Sequence, residues 1–219
     1  MAIILCIETS TTNCSVSIAV DGEIVVLQED NSNKYSHAEK LHLFIEKALL
    51  ESEIKKTSLN AIAVSKGPGS YTGLRIGVSA AKGLCYALNI PLISIATLEA
   101  LSYQVKTEMG FIIPMLDARR LEVYSAVFSS ENHLLRETKA EVLNTNSFIE
   151  YLEKNKVCFI GDGVEKFNAI CKHNNANFIN NKLPSANQMG SLAELKFNKN
   201  DLENVAYFEP YYLKDFVAG

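Results

Sequence analysis

The sequence predicts an α/β protein built from two lobes that repeat one order of elements, βββαβαβα. Three observations lead to this fold class. A length of 219 residues suits two lobes of roughly 100 residues, each large enough for its own core. Each half opens with three short strand-like runs, and helical patterns then alternate with apolar runs. The second half repeats this order without repeating the sequence. We place the lobes at residues 1–106 and 107–219.

The first lobe begins with an antiparallel meander, because an Asp21-Gly22 turn joins two strand-like segments. Ser36 and Glu39 have the spacing of a capping box, and Thr97 can cap a later helix. Strands that are separated by helices need right-handed parallel crossovers, so two parallel strands complete a mixed sheet. The predicted strands are 3–8, 15–20, 23–29, 61–65 and 92–95, and the predicted helices are 37–52, 71–88 and 97–106.

The second lobe follows the same order, and Ser147 and Glu150 form another capping-box pattern. Its predicted strands are 111–116, 122–129, 137–143, 157–161 and 177–180, and its predicted helices are 147–155, 164–172 and 186–197. We expect the asparagine-rich stretch 174–187 to be largely solvated and irregular. A duplicated lobe of this order is typical of the two ribonuclease-H-like halves of an actin-like (ASKHA) protein, in which nucleotide lies in the cleft between lobes.

The composition is that of an ordinary globular protein, with 47% hydrophobic and 21% charged residues. No apolar run approaches the roughly 18 residues of a membrane span, and the apolar start has no basic leader, so we expect a cytoplasmic protein. The five cysteines form no Cys-x-x-Cys pair and are expected to be buried thiols. A net charge of −4 does not favour direct RNA binding, so we expect another subunit to hold any RNA.

Few side chains suggest catalysis or metal binding. His37 and His42 are five residues apart, which places them about 140° apart around a helix, too far to share an ion. Ser10, Ser70 and Ser79 lack a sequence-local histidine and acid framework, which disfavours a hydrolase.

A Gly-Pro-Gly turn at 67–69 leads from a buried strand into a helix and allows two interpretations. Its amides can face an anion at the helix N-terminus, although the lysine and hydroxyl of a Walker pattern are missing. Alternatively, Gly73 and Gly77 with the nearby alanines form a small-residue side of the helix, where another helix or a sheet approaches closely. Both core packing and a packing interface fit this second interpretation.

The segment 66–77, KGPGSYTGLRIG, closely resembles the signature of the TsaB family, relatives of the threonylcarbamoyl-transferring subunit TsaD. Four further segments support the resemblance and spread it over the chain. They are Ile7-Glu8-Thr9-Ser10, His37-Ala38-Glu39, the stretch from Asp117-Ala118-Arg119-Arg120 to Glu122-Val123-Tyr124, and Pro210-Tyr211-Tyr212-Leu213-Lys214.

This resemblance implies a non-catalytic partner subunit of the complex that transfers threonylcarbamoyl to N6 of adenosine 37 in tRNAs reading ANN codons. It implies a TsaD-like catalytic subunit and a TsaE-like ATPase as partners, tRNA reached through the complex, and a homodimer when the chain is alone. No cofactor is expected on this chain by itself; ATP and a metal are expected on the partner subunits.

Departures from TsaD support the non-catalytic expectation. Thr97 and Leu101 stand where the resemblance places paired metal-binding histidines in TsaD. A segment starting with Asp117 replaces a Ser-Gly-Gly phosphate hairpin, and its carboxylate is expected to repel phosphates. Thr12 and Asn13 replace an acidic pair that is suited to magnesium. The alternatives are an actin-like ATPase or kinase and a glycoprotease-like metallopeptidase.

The family's shared interface is formed by the helices that correspond here to 37–52 and 71–88. The first helix carries two apolar stripes, one more than a sheet-facing side needs, and the second is rich in small residues. The predicted partner-binding residues are His42, Leu43, Leu50, Gly73, Gly77, Val78 and Ala81.

Overall fold

The computed structural model describes residues 1–32, 36–108 and 110–214, and it divides the chain into two compact units. Each unit is built on a five-stranded mixed sheet, so the predicted α/β class with two lobes is confirmed. Among the described residues, lobe one comprises Met1–Ala100 and the chain from Pro184 to Lys214, and lobe two comprises Leu101–Leu183.

Ten strands and six α-helices are described, in the order that the sequence predicts. The strands are β1 Ile3–Glu8, β2 Cys14–Val20, β3 Glu23–Asp30, β4 Ala61–Gly67, β5 Leu92–Ala96, β6 Phe111–Asp117, β7 Glu122–Ser129, β8 Leu134–Val142, β9 Val157–Ile160 and β10 Ala176–Ile179. The helices are α1 His37–Glu51, α2 Tyr71–Leu88, α3 Thr97–Ser102, α4 Ile149–Leu152, α5 Val164–Asn168 and α6 Met189–Asn198.

The two sheets have the same topology. The first has the strand order β3-β2-β1-β4-β5 and the second has the order β10-β9-β6-β7-β8. Read from the β8 edge, the second order is β8-β7-β6-β9-β10, so each strand of the second sheet takes the place of the strand five numbers lower in the first. In each sheet the first three strands are antiparallel and the last two are parallel to the first. The duplicated element order therefore reflects a duplicated architecture.

Burial explains which strands occupy the centre of the first sheet. All six residues of β1 are buried, and six of the seven in β4 are buried, so both strands read as continuous apolar runs. Strand β3 lies at the edge and alternates between exposed and partly buried positions. Helix α1 packs against β2 and β3, and α2 packs against β4, which completes the core on that face.

Several helices are shorter than predicted, and neither capping box forms. Helix α3 ends at Ser102 instead of near residue 106, and α5 ends at Asn168 instead of near 172. The hydroxyl of Ser36 donates to Asp30, 3.0 Å away, and Ser147 accepts from the backbone N–H of Asn144 at 3.0 Å. Both serines therefore hydrogen-bond to residues before the helix instead of to its first N–H groups, because serine side chains readily bond to nearby groups outside a helix.

The prediction that residues 107–219 form one lobe is wrong at its C-terminal end. From Pro184 to Lys214 the chain packs on lobe one, where α6 contacts β5, β1 and β2. Side chains of the β1–β2 region hold its beginning: Ser17 donates to the carbonyl of Ala186 at 2.8 Å, and Ser15 accepts from the Ala186 N–H at 2.9 Å. Within the asparagine-rich stretch, β10 is regular structure, which agrees with the predicted short strand rather than with an irregular region.

No helix among the described residues is both long enough and apolar enough to cross a membrane.

Candidate partner-binding site

Helix α1 has one face in the core and one in solvent. Its buried face carries Leu41, Ile45, Ala48 and Leu49, as the first apolar stripe predicts. On the outer side Leu50 is 80% exposed, Leu43 is 54% exposed and His42 is exposed. Apolar side chains remain in solvent after the sheet has been covered, so this face is available to a partner.

Helix α2 uses its small residues differently from the prediction. Gly73, Gly77, Val78 and Ala81 are all buried within lobe one, so assigning them to a partner interface is wrong. A Cβ added at Gly73 would overlap the carbonyl oxygen of Thr9, and one at Gly77 would overlap its hydroxyl oxygen. These glycines let α2 approach the end of β1, and the Thr9 hydroxyl donates to the Gly73 carbonyl at 2.8 Å.

The outward side of α2 and the neighbouring side of α1 enclose a groove of about 730 Å³. Its lining on α2 includes the half-buried Ile76, Ala80 and Leu84, with Gly83 between them. A Cβ added at Gly83 would meet no atom within 4 Å, so the groove is open at that point. The spacing i, i+4, i+7, i+8 of these four residues is a helical stripe, and it is the sequence signal that the prediction missed.

An aromatic cluster borders the same groove. The guanidinium of Arg75 lies 4.7 Å from the centre of the Tyr71 ring. The ring centre of Tyr212, in the irregular chain after α6, lies 5.0 Å from that of Tyr71. Further along α2, Tyr86 is 87% exposed. Tyrosine and arginine beside exposed aliphatic groups are the residue types that dominate binding energy at protein interfaces.

His37 and His42 have separate environments. His37 is buried at the start of α1, where its Nε2 lies 2.7 Å from the carbonyl oxygen of Thr11. Burial lowers the pKa of His37, while the hydrogen bond to Thr11 partly opposes this shift. Since His42 is exposed on the groove side, the pair does not form a common site.

Glu8, at the end of β1, is fully buried. One carboxylate oxygen accepts from the backbone N–H of Ser10 at 2.6 Å and from the hydroxyl of Ser65 at 2.8 Å. Burial raises the pKa of Glu8, and these hydrogen bonds reduce the shift without cancelling it. The carboxyl group thus ties β1 to β4 from inside the lobe.

The turn at 67–69 packs against the end of β1. A Cβ at Gly69 would come within 2.7 Å of the Ser10 side chain, and the N–H of Ser70 donates to the Ser10 carbonyl at 2.6 Å. The Ser70 hydroxyl in turn accepts from the Gly73 N–H at 3.3 Å. These contacts favour the packing interpretation of the turn over an anion cradle.

Asp117, at the start of the β6–β7 hairpin, is not an isolated negative charge. Its carboxylate lies 2.8 Å from the ammonium group of Lys166 and accepts from the N–H of Arg119 at 2.6 Å. The expected repulsion of phosphates by this carboxylate is therefore offset by a neighbouring cation. Within the turn that follows, Arg119 and Arg120 have positive φ values of 73° and 51°.

The structure separates the remaining candidates: Asn13 is buried and Thr12 is half-buried, whereas Ser79 is exposed in the lining of the groove. Thr97 and Leu101 are buried, and over residues 1–32, 36–108 and 110–214 no three His, Cys, Asp or Glu side chains are grouped as metal ligands. All five cysteines are buried free thiols, and burial raises the pKa of Cys6 and of Cys85 to about 12.

Comparisons with known proteins agree with this architecture. Residues 30–219 match the family model described as TsaD: tRNA N6-adenosine threonylcarbamoyltransferase. A Bacillus subtilis tRNA threonylcarbamoyladenosine biosynthesis protein TsaB is 37% identical over 61% of this chain and 58% of its own length. A TsaB from Buchnera aphidicola subsp. Schizaphis graminum is 32% identical over 83% of this chain and 87% of its own length.

Among solved structures, a Pseudomonas aeruginosa protein with similarity to the peptidase YeaZ superposes with a TM-score of 0.84 and 24% identity. The superposition covers 98% of this chain and 100% of the other, and it supports the fold over nearly the whole length. The structural likeness shows the fold, and the sequence matches show the family. From the family model and the Buchnera relative together, the chain belongs to the TsaB family of tRNA threonylcarbamoyladenosine biosynthesis proteins.

Proposed function

We propose that this chain is a non-catalytic subunit of the machinery that forms threonylcarbamoyladenosine in tRNA, and that it docks a TsaD-like catalytic subunit through the α1–α2 groove. The observation that carries the proposal is the apolar outer surface of these helices in a member of the TsaB family. A TsaE-like ATPase joins the assembly, and tRNA, ATP and a metal are held by the partner subunits.

The groove has the composition of a docking surface. Ile76, Ala80 and Leu84 provide an apolar floor. Leu43 and Leu50 lie outside the groove lining and add exposed apolar side chains elsewhere on the outer surface of α1. Transfer of such side chains out of water favours association by about 25 cal/mol per Å² of apolar area. The same surface explains why a homodimer is expected when the partner is missing, since an unpartnered apolar face binds a second copy.

The residues inside lobe one support a structural role. Glu8 binds Ser10 and Ser65 from a fully buried position, and Gly73 and Gly77 of α2 pack against Thr9. Thr97, which stands where the resemblance places a metal-binding histidine in TsaD, has a hydroxyl that cannot replace an imidazole as a zinc-type ligand. The ligand set of a metallopeptidase is therefore not recognisable at these positions.

The test is the affinity of purified chain for its cognate TsaD-like subunit. We expect Leu50→Asp or Leu43→Asp to remain folded, since both side chains are exposed, and to weaken binding by about thirtyfold or more, because an unpaired charge would be buried in the complex. Self-association should weaken in parallel. Leu135→Asp is the matched control, because Leu135 is 52% exposed on β8 of lobe two. Normal affinity of both folded α1 variants would move the interface elsewhere.

A further inference from the structure

A second pocket lies wholly within lobe two and plays no part in the proposed docking function. It has a volume of about 470 Å³, which falls in the range of small-molecule sites. Its lining comes from the chain after α3, from the start of β9 and from the region around β10. These three segments are far apart in the sequence and meet at one edge of the second sheet.

The lining is positively charged although the chain is acidic. Lys106 and Lys156 contribute two ammonium groups, Gln104, Asn174 and Asn177 contribute carboxamides, and no aspartate or glutamate lines the pocket. The Gln104 amide already donates one N–H to the Leu183 carbonyl at 2.7 Å and the Asn177 amide one to the Cys158 sulfur at 3.7 Å, so each has one further N–H for a ligand. The whole chain has 25 acidic and 21 basic residues, so a pocket lined by two lysines and no acidic residue differs in charge from the chain as a whole. In the part of the chain that the structure describes, neither lysine forms an ion pair, which leaves both charges available to a ligand.

Backbone hydrogen bonds fix the wall of this pocket. The carbonyl of Lys156 accepts from the N–H of Phe111 at 3.0 Å, and the N–H of Val157 donates to the carbonyl of Asn175 at 2.8 Å. Strands β9 and β10 are parallel, so their amino ends lie side by side at this edge. The backbone positions of Lys156 and of the asparagines next to β10 are therefore set by the sheet, whereas Lys106 reaches the pocket from the chain after α3.

We propose that this pocket binds the phosphoryl oxygens of a small anion, such as pyrophosphate or a nucleoside monophosphate. Lysine ammonium groups are suited to phosphate as point charges, and carboxamide N–H groups donate to the same oxygens. Open α/β sheets bind ligands outside the carboxyl ends of their strands. This pocket lies at the amino ends of β9 and β10, so it is separate from the position that the topology alone would suggest.

The experiment titrates the full chain with inorganic pyrophosphate and, separately, with AMP, while heteronuclear NMR spectra follow both binding and folding. We expect saturable binding to wild type, and a loss of at least about tenfold in affinity for Lys106→Gln/Lys156→Gln, because charge-assisted hydrogen bonds are removed. The matched control is Lys154→Gln/Lys172→Gln, which removes two exposed lysines that do not line the pocket. This control should keep nearly wild-type affinity.

Cys158 provides an independent readout, because it lines the pocket and retains 9% exposure. Bound pyrophosphate should slow alkylation of this thiol, as measured by mass spectrometry, and should not do so in the Lys106→Gln/Lys156→Gln variant. The proposal is overturned if neither anion binds at millimolar concentration, or if both double variants weaken binding equally, which would indicate diffuse charge attraction. Binding of a tRNA that neither anion displaces would also overturn it and assign the lysines to an RNA backbone.

Discussion

At the scale of single residues, two glycines of α2 have opposite roles. Gly73 lies against the carbonyl of Thr9, whereas Gly83 faces the open groove. We expect Gly73→Ala to lower the free energy of unfolding by about 1–3 kcal/mol through overpacking, and Gly83→Ala to raise it by up to about 1 kcal/mol, because alanine is the better helix former. Urea denaturation of the two variants checks this, and equal effects would mean that α2 does not approach β1 as described.

Glu8 gives a pH dependence with a defined sign. Because burial raises its pKa in the folded state, the folded chain holds this proton more tightly than the unfolded chain does. The stabilising contribution is complete below the unfolded pKa of about 4.3 and is lost as the pH rises through the raised native value. We therefore expect the stability of Glu8→Gln, relative to wild type, to increase from pH 4 upward until Glu8 is ionised.

The measurement for Glu8 is denaturant unfolding of both proteins at several pH values. The exposed Glu46 of α1 supplies a control for the substitution itself, since surface changes of this kind usually alter stability by less than about 0.5 kcal/mol. A constant difference between Glu8→Gln and wild type across this range would contradict the assigned pKa direction.

At the scale of elements, the docking surface can be tested without disturbing the core. Gly83→Phe should fill the groove with a ring while leaving α2 intact, because the position has open space and helical backbone. We expect its stability to stay close to that of wild type and its affinity for the TsaD-like subunit to fall by about tenfold or more, since the ring displaces partner atoms. Gly83→Ala should bind normally. Normal binding by a folded Gly83→Phe variant would show that the partner does not enter this groove.

The elements also show how far the sequence determines the fold. The sequence predicts β1 and β7 with their observed bounds. Both strands lie inside a sheet and carry the apolar runs or alternation that buried strands need. Helix ends are less accurate: α3 and α5 end four residues before the predicted positions, and α4 begins at Ile149 because Ser147 bonds to the backbone of Asn144 and does not cap the helix. On α2 both sides carry small residues, so periodicity alone did not distinguish the face against β1 from the face lining the groove. The first was predicted as the interface, and the second was missed.

At the scale of the whole molecule, chain order was a poor guide to lobe membership after residue 183. The duplicated element order placed α6 in lobe two, whereas contacts with Ser15 and Ser17 hold the segment before it on lobe one. Such pairings join residues about 170 positions apart, and neither propensity nor capping motifs encode them. The segment 66–77 identifies the family and so indicates the function, but it contains no information about how the chain after residue 183 packs.

The most direct test of the central claim is the amount of threonylcarbamoyladenosine formed in tRNA by a reconstituted system. The system contains the cognate TsaD-like subunit, the TsaE-like ATPase and the small-molecule substrates, with or without this chain. We predict that modification requires the wild-type chain, that the Leu135→Asp variant also supports it, and that the folded Leu50→Asp variant does not. Full modification without this chain, or an ATPase activity of the isolated chain that disappears in a folded Glu8→Gln variant, would contradict a non-catalytic docking subunit.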